Sequence, residues 1–399
     1  MFETSHLLRS GSGGFHTYRI PAATVTAQGT VILVVEGRRN SDSDFGETTL
    51  LCVRSEDSGK TWTSPQVVWE EHSPEGDVTC GNPTIVQDKI THRIWLAFTR
   101  NNEQALVTSS DDEAKSWATP KDISAEANPE NWPRYWIGPG HGIQLTGETH
   151  KGRLIFPSYH ISETGAMRSH MIYSDDHGET WSTGKPIEHS DQVDLTKVTE
   201  PRGWWNKPIV WHGCECMAVE TTDERLYLTN RNYTMYQKSK AFSWSNDGGE
   251  TWSQTELTSQ IPGVSCQASI IKVTEANRPN ATPQYLISSI EHPHVYTTDP
   301  EQYRRKLNLY ISDDECATWQ QSRVIESGHA AYSDLVALPD GTILCFYEGG
   351  EKSPYESIFL ARFDQASITW RRTGRFIRRS TPHLVSWGYL INAIWVEYS

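Results

Sequence analysis

A chain of 399 residues with 16 Trp, 16 Tyr and 10 Phe, punctuated by 28 Gly and 20 Pro, leans towards β structure. Its 22% of charged residues is ordinary for a globular protein and excludes a disordered chain. A formal net charge of −14 argues against nucleic acid or an anionic membrane as the main partner, and any site for an anion must gather its positive charge locally.

Length alone suggests two or three domains, but all-β propellers and barrels carry chains this long as one unit, so a single domain over 1–399 is expected. The opening MFETSHLLRSGSGGF lacks the basic-then-apolar order of a secretory signal, and no run reaches 18 apolar residues. The compartment is cytoplasmic if Met1 is the native start, and secreted or periplasmic if an export signal has been removed. The run YRIP at 18–21 comes next, then the strand-like TVILVVEG. After it, a polar loop, GRRNSDSDFGE, carries Arg38, Asp42 and Asp44.

TTLLCVRS then leads into SEDSGKTW, the first of five copies of Ser-x-Asp-x-x-x-Ser/Thr-Trp. The others are SDDEAKSW, SDDHGETW, SNDGGETW and SDDECATW, ending at Trp117, Trp181, Trp252 and Trp319. Successive Trp residues lie 55, 64, 71 and 67 apart, too long for a helical solenoid and suited to a four-stranded blade. The template reads as a hairpin turn. Its Asp accepts hydrogen bonds from the following backbone N–H groups, Gly supplies positive φ, and Trp supplies an apolar plate. The copies lack the ligand count and closing Glu of a calcium loop. Room remains for a sixth blade, with ARFDQASITW near Trp370 as its degenerate remnant. The fold class is therefore all-β, with strands from both chain ends expected to close a propeller.

Two loops, ENWPRYWIGPG and RGWWNKPIVWHG, hold five Trp that either border a cleft or pack the blades. Seven Cys show no paired CxxC pattern, and 15 His show no HExxH spacing. Free buried thiols, no metal and no cofactor are expected.

The five repeats resemble the Asp boxes of the sialidase (neuraminidase) superfamily, and YRIP resembles that family's Arg-Ile-Pro signature. The likeness continues through GPGHGIQL at 138–145 and YSDL at 332–335. It implies a six-bladed propeller acting on sialylated glycans. Sialic acid carries a carboxylate on its anomeric carbon, which guanidinium forks bind bidentately. Matching motifs, the resemblance places that triad on Arg19, Arg231 and Arg304, with Glu348 orienting the first. It places the nucleophile on Tyr332 and its base on Glu215, where Cys214 replaces the Asn usual before that Glu. The acid/base falls on Asp44, with Asp42 as local runner-up. Arg38 and Asn82 resemble residues lining the pocket near the sugar's 4-hydroxyl.

A tyrosine nucleophile is a recognised exception among retaining glycosidases, and it avoids setting one anion against another. The expected activity is retaining exo-α-sialidase. One alternative is the same mechanism on a related ulosonic acid, separable by comparing acetylated and deaminated substrates. The other is a non-catalytic glycan-binding propeller, which would bind sialosides without hydrolysing them.

Overall fold

The computed structural model describes residues 2–188, 199–200, 209–211, 213–232, 239–263, 265–274, 282–291 and 304–368. They form a six-bladed β-propeller whose blades are mostly antiparallel sheets of consecutive strands; Gly140–His141 adds in parallel to Cys80–Gln87, and Ile209–Trp211 in parallel to Ala166–Ser174. Blade one comprises Thr17–Val25, Val31–Arg38, Thr48–Ser55 and Gln66–Trp69. Blade two comprises Cys80–Gln87, Ile94–Arg100, Gln104–Ser110 and Lys121–Asp122. The main strands of blade three are Ile143–Gln144, Leu154–Ile161, Ala166–Ser174 and Ser182–Thr183. Cys216–Glu220, Leu226–Asn230, Ser239–Ser245 and Glu256–Pro262 make blade four.

Blades five and six share a strand. Gln320–Ala337 runs for 18 residues: its first half completes blade five beside Arg305–Ser312, and its second half opens blade six beside Thr342–Gly350. Blade six is finished from the other end of the chain. Phe2–Arg9 pairs antiparallel with Ser357–Asp364, in register from Phe2↔Phe363 to Arg9↔Ser357. The expected sixth blade is thus present; its ARFD segment closes the strand Ser357–Asp364, and Trp370 lies outside the described residues.

All five Asp boxes adopt one turn. The Ser hydroxyl donates to the Asp carboxylate at 2.8 Å in every copy, and the seventh residue's N–H donates to the same oxygen at 2.8–2.9 Å. These bonds hold both the fourth and the fifth residue at positive φ, even where the fifth is Ala114 (60°) or Cys316 (64°). The box Asp carboxyls are accordingly held below the usual range by hydrogen bonds from their own turns.

Each box Trp wedges its blade against the preceding one. Trp62 meets Phe346 edge-on at 5.6 Å, Trp181 stacks on Phe156 at 5.0 Å and meets Trp95 at 6.2 Å, and Trp319 lies 5.7 Å from Tyr227. Trp117 packs against the cluster of Ala22, Ile32 and Val34, and Trp252 against Leu145, Ile155 and Met171. Trp181→Ala removes such a wedge, and it is expected to lower stability by about 3–5 kcal/mol in urea unfolding. A loss under about 1 kcal/mol would show that the ring does not join the blades.

The inner strands run in one direction through the molecule. Their last residues, among them Val25, Gln87, Gln144 and Lys272, line a cavity of about 420 Å³. The candidate site lies at their opposite ends.

Candidate active site

Two inner strands carry the same local distortion where they enter the site. Ile20 has φ +58°, a strained value for a β-branched residue, and the register with the neighbouring strand shifts between Arg19 and Ala22. The N–H so exposed donates to Glu348 Oε1 at 2.9 Å. In blade two Asn82 has φ +54°, the register shifts between Gly81 and Thr84, and the Asn82 N–H donates to Glu36 Oε1 at 2.7 Å. Both residues precede Pro, so each bulge combines a fixed turn with a buried carboxylate that satisfies the freed donor.

Those carboxylates also aim guanidiniums. Arg19 forks onto Glu348 through Nε at 3.0 Å and Nη2 at 3.2 Å, leaving Nη1 directed at Asp44 Oδ1, 3.2 Å away. Arg38 likewise forks onto Glu36 Oε2 at 2.9 and 2.7 Å, and its Nη1 donates to Asp44 Oδ1 at 2.7 Å. Burial opposes the charge of Arg19, but Glu348, Tyr355 and Asp44 together outweigh it, and the guanidinium holds its proton more tightly than usual.

The three arginines of the expected triad converge. Arg19, Arg231 and Arg304 are 4%, 7% and 6% exposed, each shielded from bulk water. The guanidiniums of Arg19 and Arg304 stand 5.2 and 5.1 Å from the Tyr332 ring centre, and Arg231 Nη1 donates to Tyr332 Oη at 2.8 Å. Tyr332 sits within a register shift of its strand between Ala330 and Ser333, and its N–H donates to Glu348 Oε2 at 3.3 Å. Its hydroxyl donates to Glu215 Oε1 through a short hydrogen bond, while Arg231 Nη1 reaches Glu215 Oε2 at 2.7 Å. Burial raises the Tyr332 pKa well above 10, Glu215 adds to the rise, and Arg231 and Arg304 work against it. A phenol held so far from ionisation needs the base that touches it.

Asp44 lies on the loop after blade one's second strand, with its carboxyl 66% exposed. The loop is pinned by Arg38 to the Asp42 carbonyl, by Asn102 Nδ2 to the Asp44 carbonyl at 3.2 Å, and by Thr79 Oγ1 to the Gly46 carbonyl at 2.8 Å. Desolvation opposes ionisation there, and Arg38 and Arg19 outweigh it, holding the Asp44 carboxyl at about 2. Asp42 reaches Arg38 through its main chain alone, so the geometry favours Asp44 over the runner-up. Asn82 Nδ2 donates to Tyr159 Oη at 3.4 Å, and Tyr159 stacks on Trp136 at 4.9 Å. Trp132 lies flat on His160 at 3.5 Å, so that aromatic packs the blade. Trp204, Trp205 and the side chain of Trp211 lie outside the described residues.

Sequence reasoning overlooked three members of the cluster. Glu36 stands two residues before Arg38, the spacing that puts both on one face of a strand, and that signal was readable. Tyr355 receives Arg304 Nη1 at 2.8 Å and stacks under Arg19 at 4.4 Å, yet KSPYES carries no motif. Ser265, which accepts Arg231 Nε at 3.2 Å, is equally anonymous. All seven cysteines are buried, and among the described residues no cluster of three or more His, Cys, Asp or Glu could hold a metal ion. Among the described residues, no helix is long and apolar enough to cross a membrane.

A six-bladed propeller with five Asp boxes and this convergence of guanidiniums, phenol and carboxyls is a glycoside hydrolase. Residues 29–345 match the BNR repeat-like domain. The chain is 31% identical to the exo-alpha-sialidase of Aspergillus fumigatus, over 90% of its own length and 86% of that protein's. It is 28% identical to the sialidase of Micromonospora viridifaciens, over 90% of its own length and 54% of that longer protein's. Among solved structures, Hadza microbial sialidase Hz136 superposes with a TM-score of 0.75 at 24% identity, covering 92% of this chain and 69% of that one. The chain belongs to the sialidase family.

Proposed function

We propose that this chain is a retaining exo-α-sialidase that releases terminal sialic acid from glycoconjugates through a covalent bond to Tyr332. The observation that carries the reading is the closed triangle of Tyr332, Glu215 and Arg231, in which one phenol touches both a base and a cation.

In this reading Arg19, Arg231 and Arg304 bind the substrate carboxylate, with Arg19 held to its task by Glu348 and Arg38 lining the pocket beside Asn82. Tyr332 Oη bonds to the anomeric carbon while its proton passes to Glu215, and the glycosidic bond breaks as Asp44 protonates the departing oxygen. Asp44 then takes a proton from water, the water oxygen bonds to the anomeric carbon, and the bond to Tyr332 breaks. Glu215 returns its proton to the phenol. Two displacements at one carbon retain its configuration.

Asp44 is ionised at rest, with a pKa of about 2 set by the two arginines. An incoming carboxylate competes for Arg19 and adds negative charge nearby, and both effects raise the affinity of Asp44 for a proton. A general acid works protonated, so the alkaline limb of kcat should lie at higher pH than that of kcat/KM. Coincident limbs in a pH series would exclude this loading of the acid by substrate.

Proton NMR of sialyllactose turnover tests the function itself. The α-anomer of free sialic acid should appear first and mutarotate afterwards. Initial β-anomer would overturn the double displacement, and the absence of any release would overturn the activity. Parallel reactions with a deaminated sialoside fix the preferred acid.

A further inference from the structure

Behind the triangle lies a charge that the reaction as written does not use. Lys240, in the third strand of blade four, is 1% exposed, and its ammonium donates to the main-chain carbonyl of Cys266. Among the described residues no carboxylate pairs with it, although an ammonium has three protons to place and burial without a counter-ion is costly. Its stem packs on the backbone of Gly263, where an added Cβ would meet the Lys240 side chain at 3.1–3.3 Å. A lysine kept here against such a cost invites a role.

The partner it has chosen is informative. Cys266 sits between Ser265, whose hydroxyl accepts Arg231 Nε at 3.2 Å, and Gln267, whose Oε1 accepts the N–H of Ser333 at 3.2 Å. The carbonyl that Lys240 grips therefore belongs to a three-residue segment steadying both Arg231 and the residue next to Tyr332. The groups whose charge acts on the ammonium are Cys266, Arg231, Glu215 and Cys214, and Arg304 acts in turn on Cys266.

Resting on Tyr332 as nucleophile and Glu215 as base, we propose that Lys240 is a positioning residue for that pair. Its ammonium fixes the Ser265–Gln267 segment, and through it the setting of Arg231 and of the backbone beside Tyr332. That setting keeps Arg231 Nη1 on the phenol oxygen as the Tyr332 proton leaves for Glu215. Burial, helped by Arg231 and opposed by Cys266 and Glu215, brings the ammonium down to about 8, so the device is intact at neutral pH and fails in mild alkali.

The experiment measures kcat and KM from pH 5 to pH 10 for the wild type, Lys240→Met and Lys240→Arg. A fluorogenic aryl sialoside, whose leaving group needs little protonation, mutes the contribution of Asp44. The wild type should lose kcat around pH 8, in step with the buried ammonium. Lys240→Met should lower kcat about tenfold at neutral pH, with a much smaller change in KM, and should lack that alkaline fall. Lys240→Arg, which keeps its proton, should recover part of kcat and move the fall to higher pH. Wild-type kcat and an unchanged pH profile in Lys240→Met would overturn the proposal. If that variant fails to fold, as circular dichroism would show, a wild-type profile without a fall near pH 8 overturns it equally. Should Tyr332→Phe keep full activity on sialyllactose, the nucleophile assignment fails first; a Tyr332→Phe inactive on sialyllactose beside an unaffected Lys240→Met sinks the lysine alone.

Discussion

Tyr332→Phe should lower kcat on sialyllactose on the order of 10³-fold while leaving KM within a few-fold of its original value. The argument rests on what the lost hydroxyl touches. Arg231 already bonds Glu215 directly at 2.7 Å, so deleting the phenol oxygen leaves no orphaned charge, and the carboxylate-binding side of the pocket stays assembled. Only the group that attacks carbon is gone. The substrate's poor leaving group matters, because an aryl sialoside can part with its aglycone without a nucleophile. A sialyllactose kcat within tenfold of wild type would remove Tyr332 from the reaction.

Asp334→Ala should also produce a large loss of stability. Asp334 is fully buried and accepts from His141 Nδ1 at 2.7 Å, Ser269 Oγ at 2.8 Å and the Ala23 N–H at 2.8 Å. His141 lies in Gly140–His141, paired with blade two, Ser269 in the blade-five strand Ser269–Val273, Ala23 in blade one and Asp334 in blade six, so a single carboxylate ties four blades near their inner strands. His141 also reaches the Ile270 carbonyl through Nε2 at 3.1 Å, which makes both ring nitrogens donors and the imidazole a cation. Burial pulls the His141 pKa down, but Asp334 outweighs it and the net direction is up. Removing the carboxylate strands a buried cation and should cost about 3–5 kcal/mol in urea unfolding. The linkage has a definite sign. A raised histidine pKa gives stability that is complete below about 6.5, the unfolded value, and is lost as pH climbs through the folded value. The gap between wild type and Asp334→Asn should therefore narrow in alkali. A gap that widens would contradict the ion pair.

Much of this fold was readable because the Asp boxes are local devices: one carboxylate, a few N–H groups and a ring, repeated five times. The sixth blade was less visible, since its outer strand comes from Phe2–Arg9 and no short-range pattern announces a partner more than three hundred residues away. The triad, Tyr332 and Glu215 could be placed through motifs, and the structure brings those side chains together. Tyr355 could not, because its value lies in standing between Arg19 and Arg304, which meet through the ring of blades. Lys240 was hidden for another reason. In SKAFSWS a lysine reads as a solvent-facing residue, and nothing nearby in the chain marks its position as interior.

The clasp formed by the N-terminal strand has a consequence for biosynthesis. Its partner Ser357–Asp364 leaves the ribosome some 350 residues later, so at 5–20 residues per second the first strand waits roughly twenty seconds to a minute. An orphaned strand is a sticky object for so long an interval. This one is built to tolerate the delay: Glu3, Thr4, Ser5 and His6 remain open to water even in the finished ring. Nascent molecules halted before residue 364 should consequently expose a hydrophilic ribbon at one end and an unfinished sheet edge at the other, and it is the edge that calls for a chaperone.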